Sequence, residues 1–411
     1  MKKLLLLSAL LIFACGFGLT PITDANFSQA IETCLSTHPV TGMCSDSEYG
    51  AMPNWDVSQV TDMSYAFSER VEFNADISNW DVSSVNNMEW MFYYAESFNQ
   101  PLNNWNVSNV TKMQLMFRSS SFNQDISGWD VSNVTDMFGV FSYTAFNQPI
   151  GDWDVSNVTS MNSMFSGSVF NQDIGNWNVS NVTIFAGMFN RAAFFNQDIG
   201  NWDTSSATNI NSMFAGGGIS ESYGNIFNQD ISNWDVSNVT DMNTMFYNNS
   251  AFDKNLGNWN VSNVTKMQLM FKFSALSTEN YDNTLIGWSQ QALQTDVILD
   301  AEEIFYCNSE TERQSMIDNF GWTINDAGYN CETAGIDDLG ITSFSIYPNP
   351  TKEYLNIDCS SLESVSVYNI LGKELLKGNN NRIDVSSFSK GVYFIKVSDG
   401  INASTKKFIK D

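Results

Sequence analysis

The sequence predicts an α/β repeat solenoid, a parallel sheet with short helices, followed by a small all-β sandwich. Three observations carry this: a tryptophan period of about 25 residues, two different apolar periodicities inside each unit, and a change of charge sign near residue 341. Tryptophans stand at 55, 80, 105, 129, 153, 177, 202, 234 and 259, with spacings of 25, 25, 24, 24, 24, 25, 32 and 25. Such a period marks a stack of equivalent coils. The 32-residue interval holds an insertion, 216–225, whose glycines and serines read as a surface loop.

Each of the nine copies has the form W-[DN]-V-S-x-V-T-x-M-x-x-M-F, a variable link, then F-N-Q-[DP]-I-x-x-W. In Met88, Met91 and Phe92, and again in Met113, Met116 and Phe117, apolar residues fall at i, i+3 and i+4, one face of about two helical turns. The preceding threonines, Thr111 and Thr135 among them, suit helix N-caps. The second half, as in residues 122–127, is aromatic then aliphatic between turn formers and predicts a brief strand. One unit cannot bury its Phe, Ile, Val, Met and Trp alone, so the coils must stack in register.

The ends follow a different logic. Lys2 and Lys3 precede an apolar run over 4–13, so residues 1–20 are expected to be a secretory signal peptide. Cys15 closes a string that loosely resembles a lipoprotein cleavage box, but Phe13 is bulky there, and the simpler reading is a cysteine discarded with the signal. No run is long enough to span a bilayer, so no transmembrane segment is expected. Residues 21–54 and 276–334 flank the repeats of 55–275. An open stack exposes core side chains at both ends, so the helix-compatible segments 25–35 and 278–293 should lie over them as caps. Cys34 with Cys44, and Cys307 with Cys331, are the local pairings at the two ends, chosen on proximity among three connectivities. Cys359 is left as a small buried hydrophobe.

Composition removes several function classes. The 411 residues include 45 acidic and 19 basic side chains, a formal charge of −26, which repels nucleic acid and anionic membranes. The single histidine, His38, leaves little room for zinc clusters or His-dependent triads. Residues 1–340 hold 38 acidic and 10 basic residues, a balance of −28, whereas 341–411 hold 7 and 9. The sign change marks a second domain after a linker at 335–340. Within it, 344–347, 354–357, 364–368, 373–376, 382–385, 392–397 and 406–409 are seven β-rich runs between Pro, Gly and Asn turns.

The units "NWDVSNVTDM" and "MFYNNSAFDKNLGNW" resemble the BspA-like family of leucine-rich-repeat surface proteins, over about residues 21–331. That resemblance implies a leucine-rich-repeat-like solenoid and adhesion to host or matrix proteins or to other cells. The strings "YPNPT", "VYNILGKEL", "KGVYFIKV" and "KKFIKD" resemble the type A sorting domain of type IX secretion, and an Ig-like sandwich. By that resemblance the motif residues are Tyr347, Pro348, Asn349, Pro350, Gly372, Gly391, Tyr393 and Lys407, the type IX machinery is a partner, and the chain is secreted or anchored at the outer-membrane surface.

Stacking brings Asp173, Asp198 and Asp230 into one column, with Asp125 earlier in it. The column is either a Ca²⁺ or basic-ligand strip or a solvated, solubilising face. Interruptions by Pro101, Pro149 and Asn255, and the lack of a Gly-rich Ca²⁺ loop, favour the solvated face, so no metal or cofactor is expected. The Asn of each F-N step is expected to bond neighbouring backbone, and the tryptophan column to be core. Glu69, Glu72, Glu89 and Glu96 depart from the pattern but have only Arg70 for company, so no enzyme is expected. The reading is a surface or released protein that recognises an extracellular protein or glycan through its solenoid face. The rivals are a carbohydrate-binding or polysaccharide-active protein and an architectural surface component.

Overall fold

A computed structural model describes residues 19–217, 224–331, 344–359, 362–369, 373–398 and 403–411. The chain forms two compact units, Met1–Cys331 and Glu332–Asp411. Most of the expected signal peptide, part of the 216–225 insertion, the linker and Gly372 lie outside the described residues.

The first unit opens with helix α1 (Phe27–Leu35), whose Phe27, Ala30, Ile31, Cys34 and Leu35 are buried at helical spacing. Phe27 meets Trp80 edge-on at 6.0 Å, so α1 covers the first coils, and Cys34 is bonded to Cys44 beside it. At the other end come α2 (Thr278–Ser289), β1 (Ile298–Tyr306), α3 (Glu310–Phe320) and β2 (Thr323–Tyr329). β1 and β2 pair in parallel, and Cys307 is bonded to Cys331 across their ends. Arg313 and Asp326 form an ion pair at 2.6 Å under this cap, and the buried Tyr281 hydroxyl donates to the same carboxylate at 3.2 Å.

Between the caps, the expected leucine-rich-repeat architecture of a parallel sheet with short helices is not what forms. Among the described residues of 55–275 there is no α-helix and no strand, only turns, bends and isolated parallel bridges, one in register in each coil and one more between Asn225 and Asn249. The bridges in register run Asp62, Asn87, Lys112, Asp136, Ser160, Ile184, Asn209, Asp241, Lys266. Among the described residues there are three α-helices, all outside the repeats. The reason lies in where the amides go. In the first coil Ala66, Ser68 and Arg70 close i→i+3 turns onto Met63, Tyr65 and Phe67, but the intervening Met63, Tyr65, Phe67 and Glu69 donate to Asn87, Glu89, Met91 and Tyr93 of the next coil. Tyr65 and Glu69, like Trp90 and Tyr94 one coil on, have φ between 53° and 60°. A helix needs every amide on its own i−4 carbonyl and no left-handed residue.

The i, i+3, i+4 apolar spacing therefore belongs to a ribbon of overlapping turns. Thr111 is not an N-cap; its hydroxyl donates to the Asn86 carbonyl one coil back at 3.2 Å. Residues 122–127 make no strand either, because their amides are taken by side chains: Asn123 N–H by Asn99 Oδ1 at 2.9 Å, Ser127 N–H by Asp125 Oδ1 at 2.9 Å.

What stacks the coils is a set of side-chain columns. Phe67, Phe92, Phe117 and their successors to Phe271 lie parallel with centroids 5.4–6.0 Å apart. A second phenylalanine column, from Phe73 to Phe227, repeats at 5.7–6.4 Å. Offset parallel rings at these distances are favourable beyond the area they bury. The nine repeat tryptophans are at most 5% exposed, and each indole from Trp80 to Trp259 donates to a backbone carbonyl of the preceding coil or cap, as Trp105 does to Ile77 at 3.1 Å.

The second unit is β throughout its described regular structure: β3 (Ser345–Tyr347), β4 (Tyr354–Asp358), β5 (Ser364–Asn369), β6 (Glu374–Gly378), β7 (Arg382–Asp384), β8 (Gly391–Ser398) and β9 (Ala403–Lys410). One antiparallel sheet has the order β3-β4-β7 and the other β6-β5-β8-β9. Leu355, Ile357 and Ile383 of the first share a core with Val365, Val367, Ile395 and Phe408 of the second, and Cys359 packs against its edge.

Candidate binding surface

Alternation along the turn ribbon sorts its side chains. Met63 and Phe67 point into the core, and the left-handed positions around them point away from it. Two columns off the core result, one residue each per coil, although Leu115, Gly139 and Gly187 of the first are buried. The first reads Tyr65, Trp90, Leu115, Gly139, Ser163, Gly187, Ser212, Thr244, Leu269, and the second Glu69, Tyr94, Ser119, Tyr143, Gly167, Arg191 and onward. Unlike the core columns, these vary freely in residue type. An outward side chain leans over the following coil. At Gly167, with φ +66°, a Cβ would come within 2.6 Å of the Tyr143 ring, so the missing side chain is what lets Tyr143 lie down there. Arg118 sits 5.0 Å above the same ring.

The first two coils carry the aromatic end of this face. Tyr65 stacks on Trp90 with centroids 5.7 Å apart and planes 14° from parallel; Trp90 contacts Tyr93 at 4.5 Å, and Tyr93 contacts Tyr94 at 4.6 Å. Tyr65 is 58% exposed and Tyr94 38%. Farther along, the first column dwindles to glycine, serine and threonine before Leu269. Beside Tyr65, between α1 and the first coil, lies an open groove of about 920 Å³ bordered by Asp24, Glu32, Asp62, Glu69 and Arg70. Arg70 is paired with Glu32, and both Asp24 oxygens are occupied by Thr61, whose amide and hydroxyl donate at 2.7 Å.

The aspartates singled out by the stacking argument are engaged locally. Oδ1 of Asp125, Asp173, Asp198 and Asp230 each accepts the amide two residues on, at 2.9–3.0 Å. Among the described residues no group of three or more His, Cys, Asp or Glu is placed to hold a metal ion. Four aspartates that follow repeat tryptophans behave alike: the Ser58 hydroxyl, then its amide, hold the Asp56 carboxyl below the usual range, and the equivalent serines do so at Asp81, Asp154 and Asp203.

The F-N asparagines form a bonded column. The amides of Asn99, Asn123, Asn147, Asn171, Asn196 and Asn228 each donate to the side-chain oxygen of the Asn one coil earlier, at 2.9–3.0 Å. The aromatic cluster went unseen in the sequence. Its available signal was Trp90, a tryptophan out of phase with the period and outside both caps.

In the second unit Tyr347 is exposed at the end of β3, and Tyr393 is buried, its hydroxyl donating to the Ser389 carbonyl at 2.8 Å. Asn349 clasps the last strand: its Oδ1 accepts the Ile409 amide at 2.9 Å and its amide group donates to the Lys407 carbonyl at 3.3 Å. Pro348 and Pro350 flank it, and Gly391 opens β8. No helix among the described residues is long and apolar enough to cross a membrane.

No curated protein matches the chain significantly. The family described as "Mycoplasma protein of unknown function, DUF285" matches residues 38–145, 119–223 and 220–316, in overlapping segments that together span the coils and the start of the C-terminal cap. Residues 345–411 match the "Secretion system C-terminal sorting domain". The chain is thus exported through type IX secretion, to the cell surface or beyond it. It belongs to the DUF285 repeat family and ends in a secretion sorting domain.

Proposed function

We propose that the protein is an adhesion or recognition factor that acts outside the cell without covalent chemistry, through the outward columns of its turn ribbon. One observation carries the reading. The same ribbon that fixes buried Met and Phe positions leaves two further residues per coil at backbone angles held by cross-coil hydrogen bonds, and their type varies from coil to coil while the stack is kept. The likeness of the repeats to BspA-like surface proteins supports adhesion, and export by the sorting domain places this face where foreign surfaces are met. The patterned aspartates, engaged in turns, offer no pair in contrasting environments of the kind hydrolysis needs.

The test is retention of the mature full chain, with and without Ca²⁺, on intact cells and on immobilised extracellular matrix. Saturable binding is expected. Absence of binding to every surface, with self-assembly instead, would point to an architectural component.

A further inference from the structure

Recognition needs a place where the outward face departs from its small, polar average, and that place is the aromatic row of the first two coils. Resting on the recognition reading above, we propose that Tyr65, Trp90, Tyr93 and Tyr94, with the groove beside Tyr65, form a binding subsite for an uncharged polysaccharide.

Four features converge on this ligand. Tyr65 and Tyr94 are exposed, Trp90 and Tyr93 are half-buried, and all four are pre-ordered by contact with one another, at 5.7, 4.5 and 4.6 Å, so little side-chain entropy is lost when they are covered. A ring face carries negative quadrupole charge and suits the positively polarised C–H face of a sugar ring, and Tyr65, stacked on Trp90 by one face and 58% exposed, has its other face to offer. The first step of the row, Tyr65 to Trp90, follows the coil stack, so the two rings line one continuous stretch of surface. Tyr65, the most exposed, stands where the row opens into the groove of about 920 Å³.

The groove supplies hydrogen-bonding partners. Ser28, Ser64 and Ser68 present hydroxyls, and Asp62 and Glu69 present carboxylates, matched to the many hydroxyl donors of a sugar. The cation at this groove, Arg70, is spent on Glu32. With 38 acidic against 10 basic residues over 1–340, a uronate or sulfated chain would be repelled. A basic peptide meets the charge requirement, but an open row bordered by hydroxyls lacks the enclosed, desolvated pocket that anchors a protein hot spot.

Native affinity electrophoresis of the mature full chain separates these outcomes. The gels contain soluble mixed-linkage β-glucan or mannan as uncharged probes, alginate as an anionic probe, and a parallel assay uses immobilised poly-lysine. At least one uncharged probe should retard the chain and alginate should not. Trp90→Ala and Tyr65→Ala should each weaken that retardation by about tenfold or more, as the loss of a central aromatic anchor does. Phe194→Ala, at an exposed position on a different coil, should bind as the unchanged chain. Thermal melting of each variant establishes that the solenoid is intact.

No retardation by either uncharged probe, retardation unaffected by both aromatic substitutions, or binding confined to poly-lysine would overturn the proposal. If the chain still binds cells or matrix while the aromatic variants bind equally well, the subsite fails and the recognition reading stands. If the chain binds no surface, the reading itself fails.

Discussion

Trp288 of helix α2 donates its indole N–H to the carbonyl oxygen of Leu256 at 2.9 Å, the bond that every tryptophan from Trp105 to Trp259 makes to the coil before it. Phe271 lies against its ring at 6.4 Å, as Phe92 does against that of Trp105 at the same distance. The cap helix thus presents the side chain that a tenth coil would present, and the array ends on a helix without losing its tryptophan column. Trp322 extends the pattern once more, donating to Gln294 at 2.8 Å.

Truncating Trp288 should therefore uncap the stack. The side chain is fully buried, so Trp288→Ala is expected to cost about 3–5 kcal/mol. Trp288→Phe keeps most of the volume and loses the indole bond, a cost of about 1 kcal/mol in hydrogen bonding, because the Leu256 carbonyl still holds the Trp259 amide at 3.0 Å. Urea unfolding monitored by circular dichroism checks both, and equal losses for the two variants would contradict the column argument.

The asparagine column should tolerate a carboxylate and reject an alkyl group. Asn147 Oδ1 accepts the Asn171 amide at 2.9 Å and the Gln172 side chain at 3.1 Å. Asn147→Ala leaves that amide without its acceptor, an expected loss of about 1–3 kcal/mol. Asn147→Asp keeps the oxygen, and the chain already uses it: Asp253 stands in this column and accepts the Ser277 amide at 2.9 Å. Hydrogen exchange at the Asn171 amide is the local readout, fast in the alanine variant and protected in the aspartate one.

Much of this molecule was legible because burial writes itself in spacing. The period of the buried tryptophans, the columns of Phe and Asn, and the helices at 27–35 and 278–289 follow from which residues need cover. The coil's secondary structure was not legible. Met88, Met91 and Phe92 have the spacing of a helical face, and a ribbon of i→i+3 turns buries the same positions. What separates the two is the destination of alternate amides and a left-handed φ at Trp90 and Tyr94, residues whose type gives no hint of it. The aromatic row was hidden for a related reason: Tyr65 and Trp90 are 25 positions apart, and only the cross-coil register of the ribbon brings them together.

Acid should loosen the coils in a definite pH range. The Ser83 hydroxyl and amide hold Asp81 below the ordinary 3.8, as their counterparts hold Asp56, Asp154 and Asp203. Folded values lower than unfolded ones mean stability that is present above about pH 4 and lost as pH falls through the depressed values. These side chains are exposed, so the contribution of each is small and screened, and the sum over coils is what a melting curve reads. Asn106, Asn178 and Asn260 fill the same position and accept the same serine hydroxyls at 2.7–2.8 Å. Replacing Asp56, Asp81, Asp154 and Asp203 by Asn should leave Tm at pH 7 nearly unchanged and flatten its fall between pH 4 and 2. A steeper fall would reverse the assigned sign.

The two disulfides should act only on their own ends. Cys307 and Cys331 are 24 residues apart, and closing that loop is worth about 3 kcal/mol by chain entropy; the separation of 10 between Cys34 and Cys44 gives somewhat less. The bridged segment has a second tether in Asp282, whose buried carboxylate accepts the amides of Cys307 at 3.0 Å and Asn308 at 2.8 Å and the Ser309 hydroxyl at 2.6 Å. The double replacement Cys307→Ser with Cys331→Ser is thus expected to leave a folded chain in which α3 and β2 exchange their amides faster. Coils contact only their neighbours, so amides near Trp129 and Trp153, several coils away, should keep their protection. Uniform acceleration along the whole array would show that the unit unfolds as one cooperative block, with the cap bond governing all of it.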